Sequence, residues 1–130
     1  MSLAAIVATS AAVAATRSRK EKTELLAELL AATAPHEIEP TVAILVGEPR
    51  QGRIGVGWAT LASIDPDPAV EASITVTELD GLRSEVAPIT GPGSSSRRQA
   101  SLAQLLGRAT EAEDRFLRAL LGGELRQGAL

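Results

Sequence analysis

Apolar side chains recur at three- and four-residue spacing along this chain, in blocks separated by glycine, proline and short polar runs. That period predicts helices joined by turns. Leu3, Ile6, Val7 and Val13 share one stripe of a helix over 3–16. A second helix is predicted over 19–33, with Ser18 as its N-cap and Glu21 three residues on, a capping-box pattern. Leu25, Leu26, Leu29 and Leu30 form its apolar face. Pro35 opens a third segment over 36–46 in which Pro40 is tolerated only near the first turn, and Gly47 suits a helix C-terminus. Residues 47–57 are rich in glycine and arginine and lead into a short helix around Trp58–Ile64. Asp65-Pro66-Asp67-Pro68 is a turn or linker. Thr75 or Thr77 caps a helix near 76–88 with Leu79, Leu82 and Val86 inward; a flexible turn at 91–96 precedes helices at about 96–109 and 111–121. The alternating run 72–76 could form a strand, but it is short and has no evident partner. The fold class expected is all-α, one compact helical domain over 1–130.

Composition narrows this further. Only Trp58 and Phe116 are aromatic, so the core is built from Leu, Ala, Ile and Val, and stacking of unpaired bases on aromatic platforms is nearly excluded. There is no cysteine and one histidine, His36, which leaves no thiol chemistry, no disulfide and no His-rich metal site, and fits a reducing cytoplasm. Leu3–Ala15 imitates the apolar stretch of a signal peptide, but its positive charges, Arg17–Lys22, follow it instead of preceding it. No run reaches transmembrane length. A net charge of −3 argues mildly against a nucleic-acid partner. The acids, however, gather at 65–85, and the basic residues form local clusters at Arg17/Arg19/Lys20/Lys22, Arg50/Arg53 and Arg97/Arg98. Local field, more than net charge, steers a polyanion.

The most informative feature is a repeat. Gly47-Glu48-Pro49-Arg50-Gln51-Gly52 recurs as Gly123-Glu124-Leu125-Arg126-Gln127-Gly128, an offset of 76 residues. At that offset Leu26-Ala27-Glu28-Leu29-Leu30 meets Leu102-Ala103-Gln104-Leu105-Leu106, and 15 of the 52 positions between 3–54 and 79–130 are identical. Leucine-rich helices resemble one another for packing reasons, but a polar loop has no such reason to recur. The chain therefore reads as two copies of one unit, about 3–54 and 79–130, with a linker about 55–78. Two like units often pack about an approximate two-fold axis, which would set both loops on one face. Such loops suit a phosphate backbone. Glycine lets the chain approach and exposes its N–H groups, arginine supplies bidentate donors, and contacts of this kind fix position while reading little sequence. The candidate DNA-binding residues are Arg50, Gln51, Gly52, Arg53, Arg126, Gln127 and Gly128, supported by Arg19, Lys20, Lys22, Arg97 and Arg98. The alternative is a helical protein–protein interaction domain without DNA binding. No nucleophile–base pair and no metal cluster is evident.

Three segments carry a family resemblance. They are Ser18-Arg19-Lys20-x-Lys22-x-x-Leu25-Leu26-x-x-Leu29-Leu30, then Leu45-Val46-Gly47-Glu48-x-Arg50-Gln51-Gly52-Arg53-Ile54-Gly55-Val56-Gly57, and Phe116-Leu117-x-x-Leu120-Leu121-x-Gly123-Glu124-Leu125-Arg126-Gln127-Gly128. With these the chain resembles the N-terminal DNA-binding domain of bacterial ATP-dependent DNA ligases. The resemblance implies a helical domain with internal pseudo-two-fold symmetry that holds nicked double-stranded DNA through the minor groove. It also implies a downstream catalytic domain in the same chain, ATP and Mg2+ as cofactors of the parent enzyme, roles in repair, replication and recombination, and a nucleoid-associated cytoplasmic location without a membrane. The adenylated lysine of that family lies in a Lys-x-Asp-Gly motif. Lys20 and Lys22, the only lysines here, sit in Lys-Glu-Lys-Thr, so no catalysis by this chain alone is implied.

Overall fold

A computed structural model describes residues 1–47 and 57–123, apart from the side chain of Trp58. The described chain is all-α. Its helices are α1 (Leu3–Ala15), α2 (Arg19–Ala31), α3 (Ile38–Val46), α4 (Trp58–Ala62), α5 (Val76–Val86), α6 (Ser94–Leu106) and α7 (Glu111–Leu121), with a 3-10 turn at Pro35–Glu37 leading into α3.

The helix starts follow from local chemistry. Ser2, Ser18, Thr75 and Thr110 each accept a hydrogen bond from the N–H three residues on, satisfying a donor that a helix start leaves free. Thr75, not Thr77, therefore caps α5; Thr77 instead donates to Glu37 across 3.2 Å. The capping box expected at Ser18 is half made, because the Glu21 carboxylate is taken by the Thr16 hydroxyl. The complete box is at Thr110/Glu113, where the Glu113 carboxylate also accepts the Thr110 N–H at 3.0 Å. Other boundaries shift by a few residues. α5 stops at Val86, before Pro88, and α6 runs from Ser94 to Leu106, earlier than the periodicity suggested.

Leu3, Ile6 and Val13 of α1, Leu79 of α5, Leu102 and Leu106 of α6, and Leu117 and Leu120 of α7 form the centre of one core. Each fully buried leucine contributes about 1.5–3 kcal/mol of transfer free energy. Leu82, expected inward, is only half-buried, and the position beside it, Arg83, is buried instead. Val7, the counterpart of Arg83 in the first unit, packs on the core with part of its surface exposed.

The starts of α1 and α5 meet reciprocally. The N–H of Leu3 donates to the Ile74 carbonyl at 3.0 Å, and the N–H of Val76 donates to the Met1 carbonyl at 2.9 Å. Each is the first residue of its helix, so α1 and α5 satisfy one another's free donors. The link is an antiparallel bridge between the two N-caps, Ser2 and Thr75, and such a bridge carries its own local two-fold. It supplies the partner that the 72–76 run lacked in sequence. Helix packing shows the same exchange: α1 packs on α7, and α5 packs on α3. Shifting α2 by the repeat offset gives 95–107, one residue from α6. Swapped contacts of this kind are what an isologous, two-fold arrangement produces.

Candidate nucleic-acid interface

Both arginine–glycine motifs begin at a glycine with positive φ. Gly47 ends α3 with φ 78°, and Gly123 follows α7 with φ 76°. This left-handed geometry excludes ordinary side chains at little cost to glycine, so two counterpart positions turn the chain the same way. Among the described residues nothing lies within 4 Å of a Cβ built on Gly123, so the need for glycine there is conformational. Arg50, Gln51, Gly52 and Arg53 of the first motif, and Arg126, Gln127 and Gly128 of the second, lie outside the described residues.

The described residues flanking these motifs come together. Arg118 of α7 donates through Nη1 to the Leu61 carbonyl at 2.7 Å and through Nη2 to the Ile64 carbonyl, while its Nε holds Asp114 at 2.8 Å. Leu61 is in the last turn of α4 and Ile64 lies two residues beyond its end, where a helix leaves carbonyls in need of partners. A Cβ at Gly122 would stand 4.0 Å from Leu61 Cδ1. Thus α4, which follows the first motif, is fixed to the end of α7, which leads into the second. With only five residues, α4 is about 7.5 Å long. The Gln99 amide adds a bond to the Ser63 hydroxyl at 3.1 Å, bringing the first turns of α6 to the same corner.

The remaining candidate residues divide. Arg97 and Arg98 begin α6 beside this corner, and both hold the preceding turn: Arg97 donates to the Thr90 carbonyl at 3.3 Å and Arg98 to that of Ile89. Arg97 keeps an exposed side chain, whereas Arg98 is half-buried. Arg19 and Lys20 are exposed and Lys22 is half-buried on α2, which packs chiefly on α1. Lys22 and Arg98 are counterparts at the repeat offset, so each unit presents a cation one turn into its second helix.

Sequence reading missed the Arg118 latch. Its signal was weak: Asp114 and Arg118 are spaced one helical turn apart, but their counterparts in the first unit are Ile38 and Val42. It also missed the roles of two counterpart glutamates. Glu37 accepts from the Met1 ammonium at 2.8 Å and from Thr77, and the hydrogen bond from that ammonium holds its carboxyl below the usual value. Glu113, 1% exposed, serves the capping box and leaves Oε2 without a partner among the described residues. Acid and base pair elsewhere on the surface. Arg108 binds Glu78, lowering the carboxyl and raising the guanidinium through that hydrogen bond. Asp65, Asp67, Glu111 and Asp114 line a shallow acidic cleft of about 230 Å³. Among the described residues there is no group of three or more metal-type ligands and no helix long and apolar enough to cross a membrane.

The class is thus a duplicated helical module whose units end in matched glycine turns leading into basic motifs. No protein-family model matches the chain. Individual proteins do. The chain is 54% identical over 128 residues to a probable DNA ligase of Saccharopolyspora erythraea, covering 98% of this chain and 25% of that protein. It is 54% identical over 125 residues to one of Rhodococcus opacus, covering 96% and 25%. Against a probable DNA ligase of Nocardia farcinica it is 52% identical over 130 residues, covering 100% and 25%. The chain spans about a quarter of the length of these curated relatives, and it is homologous to that quarter of a DNA ligase.

Proposed function

We propose that this chain is the N-terminal DNA-binding domain of an ATP-dependent DNA ligase, holding nicked double-stranded DNA without sequence preference for a catalytic domain elsewhere in the whole protein. The observation that carries the reading is the pair of counterpart glycines, Gly47 and Gly123, which turn the chain alike at φ 78° and 76° as it enters Arg50-Gln51-Gly52 and Arg126-Gln127-Gly128. The α4–α7 latch supports placing the exit of the first motif beside the start of the second. Backbone N–H groups and guanidinium groups from both motifs would then meet phosphates across one groove, a mode that positions without reading bases. Arg19, Lys20, Lys22, Arg97 and Arg98 would add charge at the margins.

The nucleotide chemistry belongs to the other part of the whole protein. ATP and Mg2+ are its proposed cofactors, supplying the AMP that activates a 5′-phosphate. The lysines of this chain do not fit that role: Lys20 and Lys22 open α2, and the residues after them are Glu and Lys, then Thr and Glu, not x-Asp-Gly. The whole enzyme would seal nicks in repair, replication and recombination, in a nucleoid-associated cytoplasmic setting.

A titration of labelled nicked duplex at several salt concentrations tests this. Binding should weaken linearly on a log–log plot, with a slope of about −0.9 per phosphate neutralised. Arg50→Ala with Arg126→Ala should reduce the steepness by about 2 and weaken all sequences alike. Equal affinity of wild type and double variant would sink the assignment. Absence of DNA retention at low salt would favour a protein-docking module.

A further inference from the structure

α4 is too short to persist by itself. It has five residues and no side chain caps its start, and so short a helix is marginal alone. Two kinds of contact hold it. The Leu61 and Ile64 side chains are buried in the core, and the Arg118 guanidinium takes the Leu61 and Ile64 carbonyls. The helix joins this latch to the first arginine–glycine motif, because the N–H of Leu61 donates to the Gly57 carbonyl at 3.2 Å. Gly57 is the last residue of that motif. A path of hydrogen bonds therefore runs from Arg118, through the single residue Leu61, to the exit of the motif. Its entry is set separately, where Gly47 closes α3.

Arg118 is itself poorly placed to hold a phosphate. Its Nε, Nη1 and Nη2 all donate within the protein, to Asp114, Leu61 and Ile64, and its side chain is 30% exposed. Asp114 cancels its charge at 2.8 Å. The counterparts of this pair in the first unit, Ile38 and Val42, carry no side-chain donor. We propose that Arg118 is a positioning residue for DNA binding, which acts through α4 to hold the exit of the first motif at Gly57 before DNA arrives. The inference rests on the reading of Arg50-Gln51-Gly52-Arg53 as part of the grip. Without the latch, the exit is ordered only at the moment of binding, and that cost is subtracted from affinity. Ordering the backbone of one residue corresponds to roughly tenfold. Arg118 neutralises no phosphate, so its loss leaves the salt dependence unchanged.

Titrations of nicked duplex with the full chain test this as a double-mutant cycle. Asp114→Ala with Arg118→Ala removes cation and brace together and leaves the net charge as it was. This pair should weaken binding by roughly tenfold with the salt slope of wild type. It should cost roughly tenfold again in an Arg126→Ala protein, but less than about twofold in an Arg50→Ala, Arg53→Ala protein, whose first motif has little left to position. A loss of stability alone would weaken every background alike. Equal losses in the two backgrounds, no loss in wild type, or a slope reduced by about 0.9, as for a lost phosphate contact, would overturn the proposal. Arg118→Lys keeps the charge, but one ammonium cannot reproduce the planar fork across two carbonyls. It should give the same pattern, and it decides the matter if the alanine pair does not fold. Should Arg50→Ala with Arg53→Ala bind like wild type, the reading of the motif as a DNA contact fails and the inference falls with it. Should that variant bind weakly while the latch variants bind like wild type, the inference alone fails.

Discussion

Arg83 offers a sharp test of the packing account. It is 2% exposed on α5, and its Nε and Nη2 are buried without hydrogen-bond partners among the described residues. Burial pushes its guanidinium below the usual arginine value, and the field of Asp80, one turn earlier, pulls it part of the way back. Each orphaned donor costs about 1–3 kcal/mol of unrecovered desolvation. Methionine keeps most of the length of the aliphatic stem and carries no donor. Losing the attraction of Asp80 offsets part of the gain, so Arg83→Met should stabilise the fold by roughly 1–3 kcal/mol. At this size that raises Tm by roughly 3–5 °C per kcal/mol. The repeat argues the same way, since the counterpart position holds Val7. Calorimetry and urea unfolding should both show the gain, with nicked-duplex affinity unchanged, because a buried side chain cannot reach a phosphate. A fall in Tm would refute the unpaired-cation reasoning. A rise in Tm accompanied by lost DNA affinity would show that Arg83 is kept for function.

Other expectations follow from single contacts. Arg118→Ala removes two bonds to the end of α4 and should cost about 2 kcal/mol in urea unfolding, with faster amide exchange at Leu61 and Ile64. Thr110→Ala breaks the capping box of α7 and should cost about 1 kcal/mol, read by thermal melting. The Glu37 carboxyl is lowered from 4.5 in the folded state, so its stabilising contribution is full above pH 4.5 and is lost as pH falls below that value. A Glu37→Gln variant should therefore be less stable than wild type at neutral pH, and the two should converge in acid.

The helices were legible because their signals are local. Leu26/Leu29, Phe116/Leu117/Leu120 and the caps Ser18 and Thr75 encode period and termination within a few residues. The duplication was legible because polar residues with no packing reason to recur do so at one offset. What sequence did not reveal depends on contacts far apart in the chain. Arg118 reads as an ordinary surface partner of Asp114 until α4, more than fifty residues earlier, is seen to end beside it. The Ser2–Thr75 bridge joins two N-caps that only the packing of both units brings face to face. Arg83 contradicts its own environment, so a pattern-based reading places Leu82 inward instead. The residues expected to touch DNA were chosen by chemistry; of these, Arg97 and Arg98 hold the turn before α6.

If the two arginine–glycine motifs grip one duplex as proposed, they lie side by side. The chain has no cysteine, so Glu48→Cys with Glu124→Cys gives a clean pair of sites for nitroxide labels. Dipolar spectroscopy should then return a narrow distance below about 25 Å, shorter than the roughly 36 Å diameter of a compact domain of this length. A distribution centred near that diameter would put the motifs on opposite faces and contradict the account.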